Sequence, residues 1–106
     1  MRSIQVTELA TLLKADDRDF RLLDVREGWE YQLAAIDGAD LIPMGEIPRR
    51  VAELVPEQTT FVICHHGNRS RTVCQFLDQQ GFRDVVNVEG GIEAWAEEVD
   101  PDVPRY

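Results

Sequence analysis

Apolar positions along the chain alternate between short continuous runs and helical spacing. Thr7 stands where an N-cap belongs, ahead of a helix with Leu9, Leu12 and Leu13 on one face. Residues 20–25 (FRLLDV) form an apolar run ending in charge, which predicts a strand. Residues 27–34 predict a brief helix, and Asp37-Gly38 a turn before the apolar stretch Leu41-Ile42-Pro43. From 44 to 55, Met44, Ile47, Val51, Leu54 and Val55 share a helical face, with Pro48 near the start where a missing N–H is tolerated. Residues 60–64 (TFVIC) are β-branched, aromatic and apolar without alternation, as a buried parallel strand requires. A helix from about 70 to 80 turns Val73, Cys74 and Leu77 inward and stops at Gly81. Residues 84–88 (DVVNV) predict another strand, and Gly90-Gly91 opens a last helix bearing Ile92 and Trp95. Strands alternating with helices through short links imply an α/β fold, its parallel sheet flanked by helices on both faces. Residues 1–106 read as a single domain, with 99–106 an irregular C-terminal tail.

Composition narrows the function classes. A chain of 106 residues, 43% hydrophobic and 29% charged, suits one globular core. A net charge of −9 argues against nucleic acid and against an anionic membrane as partners. No run approaches the roughly 18 apolar residues of a membrane span, and the first residues lack a leader pattern. Two cysteines are too few for a disulfide framework, so a cytoplasmic setting with reduced thiols is expected.

In open parallel sheets, ligands bind beyond the carboxyl ends of the strands. The strand 60–64 ends at Cys64, and His65-His66-Gly67-Asn68-Arg69-Ser70 leads from it into a helix. A helix start offers unpaired N–H groups, and Gly67 and Asn68 both tolerate left-handed backbone, so this loop can curl into an anion-binding nest. A cysteine at the bottom of such a nest is a candidate thiolate nucleophile. No Asp or Glu occurs from Gln58 to Leu77 although the chain has 20, while His65, His66, Arg69 and Arg71 do, so the segment is expected to be electropositive. Arg69 is expected to attract an anion, with a framework ion pair as its alternative.

The other chemistry-bearing residues have plainer readings. Cys74 lies on an apolar helix face and is expected in the core, beyond disulfide reach of Cys64. Adjacent residues such as His65 and His66 rarely converge on one ion, so no metal is expected. Asp24 and Arg26 at a strand end suit a structural ion pair, and Trp29 and Trp95 suit packing. The acids Glu89, Glu93, Glu97, Glu98, Asp100 and Asp102 read as a solvated face.

Ordered segments along nearly the whole chain resemble the rhodanese-like sulfurtransferases, in particular small single-domain members. They are Leu22-Leu23-Asp24-Val25-Arg26-Glu27 with Glu30-Tyr31, Gly38-Ala39, Ile42-Pro43, the loop from Cys64 to Ser70, Gly81-Phe82, Glu89-Gly90-Gly91 and Ala94-Trp95. The resemblance implies a five-stranded parallel sheet, a six-residue loop beginning at Cys64, and a persulfide formed on that sulfur. It implies Cys64 as the catalytic residue and His65, His66, Gly67, Asn68, Arg69 and Ser70 as substrate-binding residues, with no cofactor. The implied donor is a small anion such as thiosulfate, and the acceptor cyanide in an assay, a thiol, or a sulfur-carrier protein. Ala34-Ala35 and Asp37 stand where the family often has Gly-His and proline. Two histidines occupy loop positions where classical thiosulfate-using members carry Arg and Lys. A cysteine phosphatase loop has Cys-x5-Arg, whereas Cys64 to Arg69 is Cys-x4-Arg, a loop that fits a sulfur atom better than a phosphoryl group.

Overall fold

Strands that are apolar on consecutive positions need cover on both faces, and the chain supplies it. The computed structural model describes residues 1–15 and 18–106. In chain order it has β1 (Arg2–Ile4), α1 (Val6–Leu13), β2 (Phe20–Asp24), α2 (Gly28–Leu33), β3 (Asp40–Leu41), α3 (Ile47–Arg50), β4 (Thr59–Ile63), α4 (Asn68–Gln79), β5 (Val85–Val88) and α5 (Gly91–Glu98). The five strands are all parallel, in the order β1-β5-β4-β2-β3. Alternate side chains feed two separate cores. Leu22, Phe61, Ile63, Val86 and Val88 pack with Val6 and Leu9 of α1 and Ile92 and Trp95 of α5. Leu23, Val62, Cys64 and Val85 pack on the opposite face with Ile47 of α3 and Val73, Cys74 and Leu77 of α4. No helix among the described residues is long and apolar enough to cross a membrane.

Three elements depart from their sequence patterns. β1 escaped notice because it has three residues, of which only Ile4 is buried. Its pairing with β5 holds the chain extended through residue 4, so α1 starts earlier than Thr7 implies. Gln5 is the cap, its N–H donating to Glu8 Oε1 at 3.4 Å. The expected helix over 44–55 is broken into α3 between two short 3-10 turns, Met44–Glu46 and Val51–Glu53. Pro48 lacks the N–H that would bond back to residue 44. Ile47 and Leu54 still reach the core, while Val55 does not. Trp29, expected to pack, is 62% exposed, because the six-residue α2 turns Glu30 inward instead.

A polar strut runs beneath the carboxyl ends of the strands. Arg26 and Asp24 are both buried, with Arg26 Nη2 donating to Asp24 Oδ2 at 2.6 Å and Nε to Oδ1 at 2.9 Å. The remaining guanidinium hydrogens go to the Ala34 carbonyl at 2.6 Å, the Glu30 carbonyl at 3.3 Å and the Tyr106 hydroxyl at 2.9 Å. Every donor of a buried cation is therefore matched. The Tyr106 hydroxyl in turn donates to Glu30 Oε2 at 2.7 Å. Arg69 grips both Glu30 oxygens, at 2.6 and 2.8 Å, which ties α2 to α4. The Arg69 guanidinium, aided by the Glu27 N–H and the Tyr106 hydroxyl, holds the Glu30 carboxyl down at about 2 against the burial that would raise it.

Arg26→Ala leaves Asp24 buried and uncompensated, and should cost about 3–5 kcal/mol in urea unfolding. Glu30 has a folded pKa of about 2 below its ordinary 4.5, so its stabilisation is present above about pH 5 and lost as pH falls through 4.5 toward 2. Thermal melts between pH 6 and pH 3 should show a shallower acid loss in Glu30→Gln than in the wild type.

Candidate active site

β4 delivers Cys64 to the edge of the sheet with its side chain on the α4 face, 1% exposed. The chain then turns through a left-handed Gly67, φ +110°, into α4. Asn68, which also tolerates that conformation, is instead the first helical residue, and no residue other than glycine has positive φ among the described residues. One left-handed residue suffices for the turn.

The orientation of the loop follows from α5. Ile92 N–H donates to the Cys64 carbonyl at 2.9 Å and Glu93 N–H to the His65 carbonyl at 3.1 Å. In a trans peptide the C=O and the next N–H point oppositely, so the N–H groups of His65 and His66 face away from α5 into the loop. Gly67 N–H donates directly to Cys64 Sγ at 3.1 Å. The first N–H groups of α4 have no acceptor within the helix and add to this concave set. Gly91 makes the approach of α5 possible: a Cβ there would lie 2.3 Å from the Cys64 carbonyl oxygen and 2.4 Å from that of His65.

Behind the sulfur lies a short polar relay. Ser70 is fully buried, with its Oγ 3.4 Å from Cys64 Sγ and its hydroxyl donating to Asn87 Oδ1. Asn87 Nδ2 donates to the Gly67 carbonyl at 3.3 Å and to Glu89 Oε1 at 3.2 Å. Asn87 thus buttresses both the loop turn and Ser70. Its signal in the sequence was a polar residue inside the apolar run DVVNV.

The loop histidines form an aromatic stack with the C-terminal tyrosine. His65 stacks between His66, centroids 3.9 Å apart, and Tyr106, centroids 4.0 Å apart. Burial, followed by the neighbouring His66, pushes the His65 imidazole below its ordinary 6.5, so it is neutral at pH 7. Its Nε2 lies 3.5 Å from Glu93 Oε2 without forming a hydrogen bond. Donor atoms of His65, His66 and Glu93 fall within 4.8 Å of one another. The two rings meet face to face, however, and imidazole lone pairs lie in the ring plane, so they do not converge on one ion.

The expectation of an electropositive segment is corrected by the tertiary structure. Acids remote in sequence come to its cations: Glu30 to Arg69 at 2.6 Å, Glu89 to Arg71 at 3.3 Å. Glu93 and Glu89 are half-buried against the loop and its helix rather than part of a solvated face. Sequence reasoning also passed over Tyr106, whose ring and hydroxyl bring the irregular tail into the site. Cys74 is where it was expected, fully buried, its thiol pushed up to about 12 by burial, and both cysteines are free.

Known proteins share this fold and much of this sequence. A family model for the rhodanese-like domain matches residues 5–98. The chain is 39% identical over 82 residues to a sulfurtransferase of Allochromatium vinosum, covering 77% of each protein. It is 39% identical over 114 residues to the chloroplastic rhodanese-like/PpiC domain-containing protein 12 of Arabidopsis thaliana, of which it spans only 38%. A crystal structure of a rhodanese-like domain protein from Staphylococcus aureus superposes with a TM-score of 0.85 at 35% identity, covering 93% of this chain and 95% of that one. With the family model spanning most of the chain and the fold shared with a solved member, the chain belongs to the rhodanese-like domain family.

Proposed function

We propose that this domain, residues 1–106, transfers sulfane sulfur through a persulfide on Cys64. The observation that supports this best is the Cys64 Sγ accepting the Gly67 N–H at 3.1 Å inside a loop whose outer carbonyls are held by α5. Such a ring of N–H groups suits a sulfur anion as an oxyanion hole suits oxygen. In the first half-reaction the Cys64 thiolate attacks the outer sulfur of a donor such as thiosulfate. The donor S–S bond breaks, sulfite leaves with the electron pair, and Cys64–S–S⁻ remains. The N–H groups of His65, His66, Gly67, Asn68, Arg69 and Ser70 hold the terminal sulfur. In the second half-reaction a nucleophile, cyanide in an assay or a thiol in the cell, takes that sulfur and restores the thiolate. No cofactor enters either step, and a reducing cytoplasmic setting suits a sulfur that cycles between thiolate and persulfide.

A second reading, delivery of the sulfur to a protein acceptor, draws on the surface beside the loop. Trp29 and Leu33 are exposed on α2, and the Trp29 ring meets the Tyr106 ring edge-on at 6.0 Å. An apolar rim at the mouth suits a macromolecular acceptor more than a small anion.

The reduced protein treated with thiosulfate and freed of donor should gain about 32 Da, one sulfur, removable by cyanide or dithiothreitol. Cys64→Ser should gain nothing; a gain that survives this change would place the sulfur elsewhere. Gly91→Ala forces a Cβ against the Cys64 and His65 carbonyls and displaces the loop, so sulfur loading followed by intact mass should slow by roughly 100-fold.

A further inference from the structure

Glu30 pairs with the guanidinium of Arg69, a cation of the cysteine loop. Its carboxylate is 3% exposed, receives both Arg69 terminal nitrogens, and is held by the Tyr106 hydroxyl, which Arg26 anchors from below. It is ionised at any working pH, since its carboxyl titrates at about 2. The Arg69 charge is therefore matched before any donor arrives. Arg71, the other arginine of the segment, faces Glu89, and His65 is neutral at pH 7 beside Glu93.

Sulfane donors differ in what they leave behind. Thiosulfate releases sulfite, whose oxygens bear two charges next to the breaking bond and call for a cation. An alkyl persulfide, R–S–SH, reacts with Cys64–S⁻ to give Cys64–S–SH and R–S⁻. One S–S bond breaks and another forms, and the leaving thiolate bears a single charge that a proton from water removes. The second reaction needs no protein cation.

Building on the sulfur-transfer reading above, we infer that Glu30 is the specificity-determining residue of this site, holding Arg69 away from oxyanionic donors so that an alkyl persulfide is the preferred source of sulfur. Glu30 acts as a built-in competitor for the anion position. A donor whose leaving group carries one charge that a proton removes, rather than two on oxygens, loses less by its presence.

The test measures the second-order rate of Cys64 loading by intact mass, with thiosulfate and with 2-hydroxyethyl persulfide, an alkyl persulfide that has no carboxylate, at one pH and ionic strength. Persulfide should load the wild type at least about tenfold faster, and Glu30→Gln should raise the thiosulfate rate by about tenfold with little change for persulfide. Gln keeps the capping contact to Glu27, so the variant retains the start of α2. Should Glu30→Gln fail to fold, two other readings stand in. Tyr106→Phe, which removes one hydrogen bond from Glu30, should narrow the preference in the same direction, and wild-type thiosulfate loading should rise or stay flat with added salt. Equal rates for the two donors in the wild type would overturn the inference. So would a preference untouched in a folded Glu30→Gln, or a thiosulfate rate that falls steeply with salt. Loading from neither donor would instead overturn the sulfur-transfer reading itself.

Discussion

Two hydrogen bonds, from Ile92 and Glu93 of α5 to the carbonyls of Cys64 and His65, decide which way the cysteine loop faces. Because each peptide is planar and trans, fixing two carbonyls outward fixes the next N–H groups inward. The backbone of a neighbouring helix thus sets the shape of the site. Gly91 is the condition for this arrangement, since a single Cβ at that position would collide with both carbonyl oxygens. Sheet order contributes as well: β4 and β5 are neighbours, so the helices that follow them start side by side, one carrying the loop and the other holding it.

The second constraint is electrostatic and runs the length of the site. Asp24, Arg26, Tyr106, Glu30 and Arg69 form a chain of hydrogen bonds from the buried end of β2 to the start of α4. Charged groups alternate along it, and the neutral tyrosine hydroxyl joins the two ion pairs by accepting from one and donating to the other. Desolvation that would be prohibitive for any member alone is offset by its neighbours. The same chain places α2 against α4 and seats the tail over His65. Framework and site are one network, joined where Glu30 meets Arg69.

Much of this was legible in the sequence, and the limits have physical causes. The strands β2, β4 and β5 announced themselves because both faces are buried, so their apolar runs are continuous. Cys64 stood out because it ends such a strand and precedes a glycine-led helix. β1 was hidden by its brevity, and the break in the 44–55 helix by a proline that periodicity alone reads as a start signal. Charge was the larger misreading. A window of sequence free of acid looks electropositive, yet Glu30 is 39 residues from Arg69 and meets it only through the fold. Local composition describes a surface only where the chain is its own neighbour.

Tyr106 shows the same principle from the other side. In the sequence it ends a stretch with two prolines and no periodicity, which contains no signal of packing. In the fold its ring lies flat on His65 and its hydroxyl sits between a buried cation and a buried anion. Burial raises the Tyr106 phenol to about 12, so the hydroxyl keeps its proton and can donate to Glu30 across the working range. A phenolate there would repel Glu30 and loosen Arg69. The neutral tyrosine is what allows two ion pairs to share one connecting group, and the segment that looked least structured completes the electrostatic frame of the site.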